Sequence, residues 1–130
     1  MMRRTISNFD LSQICASGQC FRMRETSPVT QNGEDFVFDC PEQEFDAYWK
    51  EYFDLENDYA GYIEQINPRD TYLREAAALG GGIRILRQDL WETIVSFLIS
   101  QQNHIARIRR CIENICGEYG SRQVSAWGEE

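Results

Sequence analysis

The period of hydrophobic and polar positions changes along the chain, and the changes mark its elements. Alternation marks Cys20-Phe21-Arg22-Met23-Arg24 as a half-buried strand, with Phe21 and Met23 on one face and the arginines on the other. Val29-Thr30-Gln31, Asn32-Gly33 and Asp35-Phe36-Val37-Phe38 read as a hairpin on a type I′ turn, with Phe36, Phe38 and Cys40 facing the core. Upstream, Phe9 and Leu11 lead into a short apolar segment, Ile14-Cys15-Ala16, closed by a Ser17-Gly18 turn. Thr26-Ser27-Pro28 breaks the pattern before the hairpin. Residues 1–40 are therefore expected to form an antiparallel β region.

From Pro41 the period becomes helical. Pro41 suits a first-turn position, and Glu42 and Glu44 complement the helix dipole there. Phe45, Tyr48, Trp49, Tyr52 and Phe53 form an aromatic stripe of the kind that packs a core. Asp58 is placed to cap a short helix ended by Asn67-Pro68, and Asp70 to start another that stops at Gly80-Gly81-Gly82. That glycine run follows no strand and precedes no Lys-Ser/Thr, so it is a helix stop rather than a phosphate loop. Residues 41–82 complete a first domain, and 83–130 begin a helical one through an extended linker, Ile83 to Gln88.

Residues 89–120 carry the longest helical signal. Leu90, Trp91, Ile94, Val95, Phe97, Leu98 and Ile99 are apolar all round, which predicts a buried central helix capped by Asp89 with Glu92 in a capping-box position. The pattern breaks at Ser100-Gln101-Gln102-Asn103-His104. It resumes as a stripe of Ile105, Ile108, Ile112, Ile115 and Tyr119, with Gly120 as a stop. One unbroken helix would run roughly 48 Å at 1.5 Å per residue, too long for a domain of this size, so two helices meet at an elbow, with Asn103 capping the second. Carboxamides, a helix N-terminus and Arg107, Arg109 and Arg110 together suit phosphates and base edges. The plainer account is a polar connection between two helices. The last residues, 121–130, carry no structure signal, and Trp127 has nothing obvious to pack on, so the fold is expected to be incomplete at residue 130.

Composition narrows the class. The 130 residues are 42% hydrophobic and 12% aromatic, enough for a packed core. No apolar run reaches the ~18 residues of a membrane span. Met1-Met2-Arg3-Arg4 is followed by no apolar segment, which argues against a secretory signal and for a cytoplasmic protein. Cys15, Cys20, Cys40, Cys111 and Cys116 are odd in number and scattered, and His104 is the sole histidine, so neither a disulfide framework nor a metal site is expected; buried reduced thiols are. The net charge of −8 disfavours a free-standing nucleic-acid binder. It is unevenly spread, however. Residues 34–79 hold 13 acids against Lys50, Arg69 and Arg74, a net of −10, which leaves the rest at +2.

Two separate stretches resemble the 8-oxoguanine DNA glycosylase family. One is Ser17-Gly18-Gln19-Cys20-Phe21-Arg22 after a Phe9-Asp10-Leu11 start. The other is Gly82-Ile83-Arg84-Ile85-Leu86-Arg87-Gln88-Asp89, continuing through Ser96-Phe97-Leu98-Ile99-Ser100 to Asn103-His104-Ile105-Ala106-Arg107-Ile108. The resemblance implies the N-terminal portion of a helix-hairpin-helix base-excision enzyme. Such an enzyme flips the oxidised guanine out of duplex DNA, attacks its sugar with a lysine amine and cleaves the strand through a Schiff base. It implies that the Gly18 carbonyl accepts from N7–H of the base, a donor that guanine lacks. It implies that Gln102 enters the gap left by the extruded base and that Arg107 reads the cytosine opposite. Asn103 and His104 are placed beside them, near the DNA backbone. The family's catalytic lysine and aspartate fall outside these residues, so no catalytic residue is assigned here and the chain alone is expected to be inactive. No cofactor is implied; the partner is duplex DNA carrying 8-oxoguanine, bound by a monomer. Gln102 stands where the family commonly has asparagine, which leaves opposite-base preference open.

The expected fold class is α+β, a small antiparallel sheet region followed by a helical domain fragment. Two other readings stand beside the resemblance at this point. One is a helix-hairpin-helix glycosylase for alkylated bases. The other is a non-enzymatic acidic module that binds a protein through residues 34–79.

Overall fold

The computed structural model describes residues 1–23 and 29–121. Its contacts divide the chain into two compact units: Met1–Gln19 with Arg24–Arg87, and Cys20–Met23 with Gln88–Glu130. The Thr26–Pro28 break and the tail with Trp127 lie outside the described residues.

The first unit is α+β. Its sheet holds β1 (Met2–Thr5), β2 (Val29–Asn32) and β3 (Asp35–Phe38) in the order β1-β3-β2, antiparallel throughout. Arg3 faces Val37 and Gln31 faces Phe36 across the central strand. Phe36, Phe38 and Cys40 are buried, as the alternation required. The hairpin turn is Gly33-Glu34, and of the two only Gly33 has positive φ (65°). That is the type II′ pattern, not I′.

Two expectations about the β region are overturned. The third strand is β1, and Cys20–Met23 is not a strand: it joins no ladder among the described residues, and Arg24, the last residue of the predicted strand, lies outside them. The Ile14-Cys15-Ala16 segment is helical, part of α1 (Leu11–Ala16), which buries Leu11 and Ile14. Asp10 caps α1 by accepting from the Gln13 N–H at 2.9 Å. Such a local bond outweighs a weak extended preference over six residues.

Helical residues 42–52 form α2, α-helical over Glu42–Glu44, π-helical over Phe45–Trp49 and α-helical again over Lys50–Tyr52. The aromatic stripe splits across it. Phe45 and Phe53 join Phe9, Phe36 and Phe38 in the core, with Phe9 stacked on Phe36 at 4.4 Å and Phe45 edge-on to Phe38 at 4.8 Å. Each such ring pair adds about 0.5–1.5 kcal/mol beyond its buried area. Tyr48 is instead exposed and stacks on Tyr52. Asp58 and Asp70 cap α3 (Tyr59–Glu64) and α4 (Thr71–Gly80) through Gly61 N–H and Leu73 N–H. Beyond α4, Gly82 passes so close to Asp10 that an added Cβ would sit 2.4 Å from the Asp10 Cβ. Its carbonyl accepts from the Asp10 N–H at 2.8 Å.

Residues 84–87 are a main structural support of this unit rather than a bare linker. Arg84 is 4% exposed. Its guanidinium donates to the carbonyls of Asn8 (3.1 Å), Ser7 (3.1 Å), Asp54 (2.8 Å) and Asn57 (3.5 Å) and lies over the Tyr59 ring. The segment pairs with no strand among the described residues, yet four of its backbone groups are bonded. Ile85 N–H donates to the Tyr59 hydroxyl, Arg87 N–H to the Tyr52 carbonyl, and the Gln19 side-chain amide bridges Arg84 O and Leu86 N–H.

Asp54 closes this network. Its buried carboxylate accepts from Arg87 Nε (2.8 Å), Asn57 Nδ2 (2.8 Å) and the Tyr59 hydroxyl (3.0 Å). Burial alone pushes the Asp54 carboxyl up, but these donors and the Arg87 charge pull it below its ordinary value. A depressed carboxyl contributes stability above its unfolded pKa and loses it as pH falls through the folded one. Denaturant melts should therefore show acid destabilisation below about pH 4 that Asp54→Asn flattens, at the expense of lower stability at pH 7. An unchanged acid limb in the variant would remove Asp54 from this role.

The second unit holds α5 (Leu90–Ser100) and α6 (Ile105–Tyr119). Ile108 and Ile112, the centre of the predicted stripe, are buried, while Tyr119 is exposed. The expectation of a buried central helix is corrected. No α5 residue is buried, and Leu90 (74%), Trp91 (73%), Leu98 (65%) and Phe97 (63%) are open to solvent. A helix apolar on all sides needs neighbours on all sides. Asp89 caps α5 through Glu92 N–H at 2.9 Å, while the Glu92 carboxylate pairs with Arg22 at 3.2 Å instead of closing a capping box.

Candidate nucleic-acid interface

The elbow between α5 and α6 separates side chains that build the turn from side chains that remain free. Ser100 Oγ and Gln101 Nε2 both donate to the Phe97 carbonyl. Asn103 Nδ2 donates to the Ile99 carbonyl at 3.1 Å, and its Oδ1 accepts from His104 N–H at 3.0 Å. Asn103 thus closes the first helix rather than capping the second. The cap of α6 is His104, whose Nδ1 accepts from Arg107 N–H at 3.4 Å. With Nδ1 as the acceptor, Nε2 is the ring's donor nitrogen.

Gln102 and Arg107 are different. Both are exposed, and among the described residues neither side chain has a hydrogen-bond partner. Gln102 also holds a left-handed backbone, φ 49°. For a residue with a Cβ that costs about 1–2 kcal/mol, and such strain gathers at functional positions. The first N–H groups of α6 point past the same tip. A free carboxamide, a free guanidinium and a helix N-terminus therefore share one exposed corner, suited to acceptors such as phosphate oxygens and base edges.

Gly18 belongs to the first unit. Ser17 is the C-cap of α1, its hydroxyl donating to the Ile14 carbonyl at 2.7 Å, and Gly18 follows at φ 79°. A left-handed residue just past a helix end is the ordinary place for glycine. The turn is exposed, and a Cβ at Gly18 would meet no atom within 4 Å. Its backbone is thus open to close approach from outside.

One other surface suits DNA poorly. The depression lined by Asp46, Lys50, Glu51, Asp54, Glu56, Asn57 and Arg87 is mostly acidic and repels phosphate. Lys50 pairs with Glu56 at 2.9 Å, and that hydrogen bond raises its pKa, the opposite of what an amine nucleophile needs. Among the described residues no cluster of His, Cys, Asp and Glu is arranged to hold a metal, and no helix is long and apolar enough to cross a membrane. None of the five cysteines is in a disulfide, and Cys20 and Cys40 are buried but Cys15 and Cys111 half-buried and Cys116 exposed, against the expectation of uniformly buried thiols. Neither the Arg84 network nor the Gln19 bridge is visible in the sequence, because no periodicity marks a buried arginine or a side chain that stands in for a strand.

Comparison with known proteins bears on both units. The family model for the N-terminal domain of 8-oxoguanine DNA glycosylase matches residues 29–94, half of the chain. An N-glycosylase/DNA lyase of Saccharomyces cerevisiae is 48% identical over 40 residues, covering 31% of this chain and 11% of that protein. The apo crystal structure of the Clostridium acetobutylicum 8-oxoguanine glycosylase/lyase matches 96% of this chain at 37% identity and a TM-score of 0.84. The same enzyme bound to double-stranded DNA with cytosine opposite 8-oxoguanine matches 97% at 36% identity and a TM-score of 0.83. In both cases this chain spans 48% of the solved protein. With half its residues on the family's N-terminal domain model and nearly all of them superposing on solved members, the chain belongs to the 8-oxoguanine DNA glycosylase family.

Proposed function

We propose that the protein carrying this chain is a base-excision DNA glycosylase and apurinic/apyrimidinic lyase acting on 8-oxoguanine in duplex DNA. This chain supplies recognition: the Gly18 carbonyl accepts from N7–H of the extruded base, Gln102 fills the vacated space and Arg107 reads the cytosine opposite. Asn103 and His104 hold the elbow, and His104 Nε2 faces a phosphate. The lysine and aspartate of the chemistry lie outside these 130 residues. The protein works as a cytoplasmic monomer, nucleoid-associated if bacterial. The observation that carries this reading is the strained, exposed Gln102 near an Arg107 side chain with no partner among the described residues, in a chain of this family.

The test is a substrate panel. The full-length protein should release 8-oxoguanine opposite cytosine and leave 7-methylguanine and hypoxanthine in place. Release of the alkylated base in preference would favour the other glycosylase class. No release of any base would leave the acidic-module reading.

Gly18→Ala sharpens the assignment. The left-handed backbone costs alanine about 1 kcal/mol, which the fold tolerates, but the methyl stands where the base must approach. Thermal stability should fall slightly and 8-oxoguanine excision by on the order of tenfold or more. Wild-type excision kinetics in the variant would take Gly18 out of the site.

A further inference from the structure

We infer that Gln19 is the positioning residue of the base-recognition turn, an inference that rests on the reading of Gly18 above. The Gly18 carbonyl belongs to the peptide unit whose nitrogen is that of Gln19. Because that unit is planar, whatever fixes Gln19 fixes the direction of the carbonyl. The turn has little packing of its own: Gly18 is exposed and has no side chain.

Gln19 supplies what the turn lacks. Its Nε2 donates to the Arg84 carbonyl at 2.9 Å, and its Oε1 accepts from Leu86 N–H at 3.0 Å. The side-chain amide thus pairs with residues 84–86 as a neighbouring strand would, using one donor and one acceptor in the same plane. Nε2 also lies 3.2 Å from Ser17 Oγ, which ties the turn back to the α1 cap. The partner segment is itself immobilised by the buried Arg84 and the bonds to Tyr59 and Tyr52. The Gly18–Gln19 peptide is therefore referenced to the firmest part of the unit. Only a primary amide of this length satisfies both bonds. Glutamate loses the donor and sets a carboxylate against the Arg84 carbonyl, and methionine loses both.

The test uses the full-length protein as wild type, Gln19→Met and Gln19→Glu. Three quantities are measured: the single-turnover rate of 8-oxoguanine excision opposite cytosine, the Kd for a duplex carrying a tetrahydrofuran abasic-site analogue, and the melting temperature. The analogue offers no base to read. Both variants should lose excision by on the order of 10- to 100-fold, the effect of an ångström-scale misplacement, while binding the analogue like wild type. Unchanged excision in both variants overturns the inference. So does a parallel loss of analogue binding and melting temperature, which would make Gln19 a purely structural residue. Failure of the wild-type protein to excise 8-oxoguanine is a separate result and defeats the parent reading.

Discussion

Replacing Arg84 by methionine should destabilise the folded protein by about 3–5 kcal/mol, measured as a shift in the denaturant midpoint. Burial disfavours the charged guanidinium and lowers its pKa, so losing the charge by itself is not the damage. The damage lies in the acceptors. Ser7, Asn8 and Asp54 present backbone carbonyls to Arg84, and no side-chain substitution removes a carbonyl. Each buried acceptor left unpaired costs about 1–3 kcal/mol. Lysine should not restore stability, because one ammonium cannot reproduce the planar fork that reaches carbonyls on separate segments. A methionine variant as stable as wild type would mean that water replaces the guanidinium at no cost, and the network would then not be the unit's support.

Arg107→Ala should relax discrimination between cytosine and other bases opposite the lesion by on the order of 10- to 100-fold, with thermal stability nearly unchanged. The side chain is exposed and bonds to nothing among the described residues, so the fold does not depend on it. Its donors match the acceptors of an unpaired cytosine, and losing them removes the preference rather than the chemistry. The comparison to make is single-turnover excision of 8-oxoguanine opposite each of the four bases. Selectivity equal to wild type would exclude Arg107 from reading the opposite strand.

Local signals are legible in the sequence where one residue suffices to state them. Asp58, Asp70 and Asp89 cap the helices they precede, and Phe36 and Phe38 face the core by simple alternation. Elements that depend on distant partners were not legible. Met2–Thr5 has no alternation to display, and it becomes a strand because β3 offers it an edge. Cys20–Met23 alternates but joins no sheet among the described residues. At the elbow, composition marked the polar break between two helices, but it could not show that the Asn103 amide bonds the Ile99 carbonyl and leaves the cap of the second helix to His104. The candidate site was legible as a place and not as a division of labour: only the hydrogen bonds separate His104 and Asn103, which hold the turn, from Gln102 and Arg107, which remain open.

On the proposed reading, residues of this chain choose the base while an amine elsewhere in the protein attacks the sugar. Borohydride trapping on an 8-oxoguanine:cytosine duplex tests it most directly, comparing the full-length protein, its Lys50→Ala variant and the 130-residue chain by itself. A covalent protein–DNA adduct should form in equal yield from the first two and not at all from the third. An adduct that disappears with Lys50, or one formed by the isolated chain, would contradict it.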